Sequence, residues 1–506
     1  MFRTILLLLL ALTISPVLAQ NNRSVFDAYR QRKQAELDAY QNGKHKQLTD
    51  YQERKHREFE AYRKRKSQEL AEYLSRPWAK REQMDPVPVP TKPDPVDPPV
   101  APEDDVNPEP IKPVDIPKPD VKPIVLPEPS IPEPIPLPEP KPRPVDAMQV
   151  SIFGMKLDVA MTEDMRFSMN SVKPEAIKKV MNMLDGDKYT MLFEDFARYS
   201  EDLHLNGWAG LCLSKAIANQ LLGEESNEAT VLQLYLMAIM GYDVKPLNIN
   251  NRRLAIMYAS NMSLCGIHYI MEGKKKYYID EEFIDGTFVT TPDADFKGGT
   301  CAVDFAHATQ MQLDNARTRP KVFQSKKDEN VVVEISVNKS LMNYYQTLPI
   351  FQNYSFYAGE PIEAVLSRQL MPTLREFIIG MTEREAANLL IHFVQTAFDY
   401  MTDQKQFNAE KPFFKEELFY HRYSDCEDRA ILYTGLVEEL LGLDVVLLHY
   451  PNHMCTAVKF NESISGDYLT IDGQQYLICD PCYIAADIGR CMPQYRGVKP
   501  EVLKIR

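Results

Sequence analysis

In a chain of 506 residues, the stretch Tyr423-Ser424-Asp425-Cys426-Glu427-Asp428-Arg429-Ala430-Ile431-Leu432 puts a thiol where a helix should begin. Ser424 and Asp425 are helix-capping residue types and the apolar run after them is helical in character, so Cys426 belongs in the first turn. There the positive end of the helix dipole and the terminal N–H groups favour thiolate, the nucleophilic form. A nucleophilic thiolate needs a base, commonly an imidazole oriented by a carboxylate or an amide. His453 follows Pro451-Asn452 and leads into Met454 to Phe460, a strand by composition. Asp472-Gly473 is a strong two-residue turn signal between Tyr468–Ile471 and Gln475–Cys479, and the second arm ends at Cys479-Asp480-Pro481. His453 at the start of one strand and Asp480 at the end of an antiparallel neighbour can therefore lie side by side. Each residue alone reads as a buried thiol, a turn histidine and a solvated aspartate; the order of all three at element boundaries speaks for chemistry.

This order of helix-borne Cys, strand-borne His and strand-borne Asp resembles the transglutaminase-like superfamily of cysteine hydrolases and acyltransferases. The matching motifs are Asp425-Cys426-Glu427-Asp428, Pro451-Asn452-His453, and Cys479-Asp480-Pro481 followed by Tyr483. The resemblance implies Cys426 as nucleophile, His453 as general base and acid, and Asp480 as the residue orienting the imidazole, on a papain-like framework. It covers residues 390–495 well and the preceding part of the chain only faintly. The whole layout looks like exported transglutaminase-like proteins of Bacteroidetes-type bacteria. One departure is Cys482, where many relatives carry Thr or Ser.

That departure creates Cys479-Asp480-Pro481-Cys482, a CxxC that could instead bind metal or cycle redox; a redox CxxC normally opens a helix, whereas this one ends a strand. A Cys482–Cys491 disulfide is a further alternative. Gln395, on the helix before the cysteine, is a candidate oxyanion donor beside the Cys426 backbone N–H, against the plain reading of a surface glutamine. His421 and His449 bracket the Cys426 helix and read as structural turn residues, and Trp208 and Tyr235 as core. Asn353-Tyr354-Ser355 and Asn461-Glu462-Ser463 match glycosylation sequons. The Cys-His-Asp motif itself requires no cofactor and no metal.

The elements that carry these residues occupy only part of the chain. Of 37 prolines, 23 lie between Pro86 and Pro144, which excludes helix and central sheet there and leaves extended polyproline II. The net charge of −13 is also uneven: residues 22–81 carry +7 and Arg3 one more, leaving −21 from Glu82 onward. A globular part that acidic argues against nucleic acid as a partner. Met1-Phe2-Arg3, the apolar run Ile5 to Leu12 and Val17-Leu18-Ala19 predict a signal peptide cut after Ala19, hence a periplasmic or secreted protein without a stable membrane span. Phe26/Tyr29, Leu37/Tyr40, Leu48/Tyr51, Phe59/Tyr62 and Leu70/Tyr73 recur every 11 residues, which keeps them on one helical face. Two apolar positions per repeat make a thin stripe, so a coiled coil, a solvated helix and a partner-docking helix stay open.

The segments beginning Asn227-Glu228-Ala229-Thr230 and Asp428-Arg429-Ala430-Ile431 align without gaps through Gly241 and Gly442 to Val244 and Val445, a constant offset of 201 that sets Glu225 against Cys426. The expected organisation is α+β throughout: signal peptide 1–19, helical stalk 20–81, Pro-rich disordered linker 82–147, a degenerate transglutaminase-like unit 148–330, and a catalytic transglutaminase-like domain 331–506 with an antiparallel sheet packed on the cysteine helix. The expected activity is peptide or amide bond chemistry through an acyl-thioester on a protein or peptide substrate. The alternative is a non-catalytic scaffold whose two units are recognition modules.

Overall fold

The computed structural model describes residues 16–89, 100–101, 120–122, 133–138, 142–280 and 287–505. The signal-peptide expectation falls mostly on residues 1–15, outside these. Two compact units divide the chain: residues 1–62 with 135–141, and residues 63–134 with 142–506. The first is represented by a single helix, α1, which runs from Pro16 to Leu74 and continues into the second unit. The sequence repeat thus does form a helix, but the side chains of its early repeats lie outside the described residues.

The second unit is mixed α+β with antiparallel sheets. It recruits the end of α1 as core rather than leaving it as stalk. Lys66, Leu70, Tyr73 and Leu74 are buried; Tyr73 packs on Phe296 at 5.3 Å between ring centroids, and Lys66 Nζ donates to the Gly298 carbonyl at 3.2 Å. Strand β1 (Trp78–Arg81) follows directly and pairs with a strand near residue 290. The boundary expected at 81 therefore moves back to about Arg63, because the last Leu/Tyr pair of the repeat buries its stripe in this unit.

Four short pieces of the Pro-rich segment pair with other strands: β2 (Gln83–Met84) joins a sheet edge, Val87 bridges Cys265, Val100 bridges Ile484, and β3 (Asp120–Lys122) adds a parallel edge strand. Proline holds φ in the extended range and forbids only its own donor, so the few residues between prolines can pair with an edge strand. The rest of the linker lies outside the described residues.

Two sheets follow, and they share a strand order. In the first, helix α2 (Asn227–Ile239) ends before Gly241 at φ +90° and feeds β4 (Val244–Ile249), β5 (Arg253–Ala259), β6 (Tyr269–Glu272), β7 (Lys275–Ile279) and β8 (Val289–Pro292), arranged β1-β8-β4-β5-β7-β6-β2. The second is preceded by helix α3 (Glu383–Ala397), opened by a Thr382/Glu385 capping box, and by two short strands, β9 (Asp399–Tyr400) and β10 (Tyr423–Ser424). Helix α4 (Cys426–Leu441) then ends at Gly442, φ +67°, and feeds β11 (Asp444–Tyr450), β12 (His453–Lys459), β13 (Tyr468–Ile471), β14 (Gln474–Cys479) and β15 (Glu501–Lys504). Their order is β13-β14-β12-β11-β15-β3. Strands β4 to β8 thus repeat the arrangement of β11 to β15, each set entered from a helix through a left-handed glycine.

Both faces of the second sheet are covered. Val446, Leu448, Tyr450, Cys455, Ala457, Ile478 and Val502 bury one face, while α4 packs on β11 and β12 and α3 in turn packs on α4. That explains the nearly continuous apolar runs of β11 and β12. The two halves do not part at residue 330: Lys321–Gln324 pairs with Val332–Ile335 across that point, and Phe323 packs on Phe398 and Phe419. The hairpin belongs with the C-terminal half, so any division lies upstream of it.

Candidate active site

Cys426 occupies the first position of α4. Asp425 is the cap residue, its side chain taking a backbone N–H of the first turn while Asp428 reaches back to the Asp425 N–H at 3.1 Å. This capping box fixes the helix start and with it the sulfur. Cys426 is partly exposed, whereas Cys455, Cys479, Cys482 and Cys491 are buried; all eight cysteines are free thiols. Burial pushes the Cys455 thiol up to about 12.

His453 is placed by a two-residue hairpin loop. Pro451 and Asn452, the latter at φ +63°, make the turn that pairs Tyr450 with His453 and opens β12 on the imidazole. Asp480 leaves β14 beside it, since Thr456 of β12 pairs with Cys479. His453 Nε2 and Asp480 Oδ2 are 2.8 Å apart, both residues buried. The other carboxylate oxygen, Oδ1, accepts from the Cys482 backbone N–H at 2.9 Å. The Cys426 and Cys455 side chains both lie close enough to the imidazole for their charges to act on each other. Tyr495 stacks on the ring at 5.0 Å and 13°, holding its plane.

The electrostatics follow. Burial alone would lower the His453 pKa, but the negative charges of Asp480 and Cys426 overcome it and hold the group well above the ordinary histidine range. The charged form of the imidazole is thus favoured by its neighbours Asp480 and Cys426. Arg429, one turn along α4 and fully buried, donates to Ser424 Oγ and the Gln395 and Phe398 carbonyls. A second positive charge therefore stands near the thiol.

Two residues of the site escaped the sequence reading. Tyr400 Oη lies 3.6 Å from Cys426 Sγ, brought there by the parallel pairing of β9 with β10. Burial, and then the Cys426 charge, push its pKa up, so the hydroxyl keeps its proton and can donate. Tyr495 is the other. Neither carries a local signal; each reaches the site through tertiary packing alone.

Gln395 faces elsewhere. Its Nε2 donates to the carbonyls of Asp480 at 3.1 Å, Tyr483 at 2.8 Å and Ala486 at 3.0 Å, and its Oε1 contacts His392 Nδ1 at 3.0 Å. His392 in turn meets Asp487 at 2.8 Å. With its amide hydrogens committed to carbonyls, Gln395 is a tie for the 480–487 loop rather than an oxyanion donor. Cys482 points its sulfur at the Asp425 carbonyl, 3.8 Å away, and not at Cys491. His421 stacks on Phe413 and pairs with Glu417, and His449 pairs with Glu501, all distant in role from the thiol.

Three buried groups of potential metal ligands occur among the described residues: His453/Cys455/Asp480, Asp403/Glu410/Glu427 and Asp403/Asp425/Asp428. The first joins the His453–Asp480 pair of the site to the buried Cys455 rather than to Cys426. In the third, backbone donors already serve the carboxylates: Lys411 N to Asp403, and Phe413 N and Asp425 N to Asp428. Burial, then the Asp428 and Glu427 charges, push the Asp403 pKa up and favour its neutral form.

The corresponding place in the first sheet is a cleft of about 440 Å³ lined by Glu225, Arg253 and Asp280 among others. Arg253 heads β5 as His453 heads β12, Asp280 follows β7 as Asp480 follows β14, and Glu225 sits where the offset of 201 puts Cys426. Arg253 meets Glu225 at 3.8 Å, and Lys215 meets Asp280 at 2.8 Å. No thiol and no imidazole stand at these positions. No family model, no curated protein and no solved structure matches the chain.

Proposed function

We propose that the chain is an exported cysteine hydrolase or acyltransferase of transglutaminase-like type, acting on peptide or amide bonds through an acyl-thioester at Cys426. The observation that carries this is a helix-terminal, partly exposed thiol close to an imidazole that is itself held at 2.8 Å by a buried carboxylate. The Cys426 thiolate attacks the carbonyl carbon, and the oxyanion is received by the Cys426 backbone N–H and the Tyr400 hydroxyl. His453, already protonated, gives its proton to the leaving amine as the carbon–nitrogen bond breaks. Neutral His453 then takes a proton from the incoming water or amine as it attacks the thioester, which regenerates thiolate and imidazolium. Asp480 fixes the tautomer throughout.

In this reading the first sheet is a degenerate copy of the same unit, whose Glu225, Arg253 and Asp280 leave a charged cleft without a nucleophile and suit it to recognition. Export rests on the N-terminal signal pattern, and among the described residues no helix is long and apolar enough to cross a membrane. The test is labelling by an electrophile carrying an amide-type recognition group. Wild-type protein should be modified at Cys426 and Cys426→Ala should not; modification persisting at full rate in the variant would overturn the assignment.

A further inference from the structure

We infer that the backbone at Ile484 forms a subsite for an extended peptide carrying a small side chain, and that the chain's own Val100-Ala101 fills it, blocking the Cys426 site from within. This deepens the proposed function and rests on Cys426 being the nucleophile.

Val100 bridges Ile484 in parallel, and the Ala101 N–H donates to the Ile484 carbonyl at 2.8 Å. Ile484 lies four residues beyond Asp480 in the loop that Gln395 ties down, so the acceptor is held rigidly with respect to the site. The two side chains alternate as in a strand: Val100 is 67% exposed and Ala101 only 7%. The Ala101 methyl enters a buried patch with Cys482, Tyr483, Ala486 and Met492, and Cys426 and Tyr495 pack against that same patch. A segment expected to be a spacer thus ends up on the wall of the nucleophile.

The sequence there, Pro98-Pro99-Val100-Ala101-Pro102, offers few backbone donors, and Ala101 supplies one of them. Proline on either side predisposes the chain to the extended form needed for strand addition. What packs among those four buried side chains is the Ala101 methyl. The recognised class is therefore an extended peptide with Ala or Gly at the position facing the patch, read through its main chain. The segment is tethered, so it competes with a peptide from solution as an intramolecular partner, and a longer peptide with more main-chain contacts can displace it.

The experiment uses the full chain and two probes of Cys426: iodoacetamide, which needs no subsite, and an acyl-Ala-Ala chloromethyl ketone, which does. Ala101→Pro deletes the N–H while keeping the extended backbone, and Ala101→Arg is too large for the patch. Both variants should raise ketone labelling by about tenfold, equivalent to about 1.4 kcal/mol of lost occupancy, with a much smaller change for iodoacetamide. A free hexapeptide of residues 98–103 should reverse the gain. An unchanged ratio of ketone to iodoacetamide labelling in both variants, with Cys426 still modified, would overturn the blocked subsite and leave the nucleophile standing. Absence of Cys426 labelling by either reagent in every form would overturn the nucleophile, and the subsite with it.

Discussion

Tyr400 Oη stands 3.6 Å from Cys426 Sγ although 26 positions separate the two residues. The link is a two-rung parallel ladder, Asp399 to Tyr423 and Tyr400 to Ser424, which ties the end of α3 to the residues capping α4. In the proposed reaction, a hydroxyl that keeps its proton beside the Cys426 sulfur is placed to receive the negative charge that develops when the sulfur adds to a carbonyl. Removing one such donor costs roughly 10²–10³ in rate. Tyr400→Phe should therefore slow acylation by a p-nitrophenyl ester by about that factor while iodoacetamide still modifies Cys426 at close to the parent rate. An equal loss in both reactions would make Tyr400 a packing residue instead.

The second prediction concerns pH. A histidine whose folded pKa is raised keeps its charge above the ordinary value near 6.5 and loses it only as pH rises through the folded value. The stabilising contribution of the His453–Asp480 pair is therefore complete below about pH 6.5 and fades on the alkaline side. Alkylation of Cys426 should remain appreciable at pH 6, where a solvated thiol of pKa about 8.5 is almost wholly protonated. Asp480→Asn should shift the alkaline limb of the acylation profile to lower pH. His453→Gln should leave alkylation rising only through the free-thiol range. A profile identical in all three proteins would show that the imidazole does not face the sulfur in solution.

The carboxylates behind the cysteine make a third. Asp403 is raised to about 10, first by burial and then by Asp428 and Glu427. A raised group contributes stability that is fully present below its unfolded pKa, near 3.8, and is lost as pH climbs toward the folded value. Asparagine keeps the shape and an acceptor for the Lys411 N–H but cannot ionise. Thermal unfolding of Asp403→Asn against the parent should show a stabilisation that grows from pH 5 to pH 8. A difference independent of pH would mean that Asp403 is ionised in the folded protein.

How much of this was legible beforehand follows from where each residue sits. Cys426, His453 and Asp480 stand at element ends, each announced by a local signal: a capping aspartate, a Pro-Asn turn, and an Asp-Gly hairpin whose two residues take φ +51° and +78°. Such signals are short-range and survive in a single sequence. The shared order of the two sheets was foreshadowed by the helix-glycine-strand echo, because that stretch is contiguous. Tyr400 and Tyr495 were not visible, since a two-residue ladder and a ring stack are made by the fold. Composition misled at the end of α1, where the Leu70/Tyr73 pair of the repeat docks as core, and in the Pro-rich segment, where prolines hide single residues that pair: Val87 and Ala101.

Gln395 offers the sharpest separation between structure and catalysis. Its amide nitrogen serves three carbonyls, those of Asp480, Tyr483 and Ala486, and its oxygen holds His392 against Asp487. Gln395→Leu would leave several buried polar groups without partners, at about 1–3 kcal/mol for each that water cannot reach. Urea unfolding should accordingly show a midpoint well below that of the parent. Because the loop also carries Asp480, the alkaline limb of Cys426 acylation should move in the same direction as in Asp480→Asn. An oxyanion donor would behave oppositely: acylation would fall by the larger factor expected for Tyr400→Phe, while the urea midpoint and the pH profile stayed where they were. Measuring both quantities on one variant therefore decides whether Gln395 acts on the reacting carbonyl or through the loop that positions Asp480.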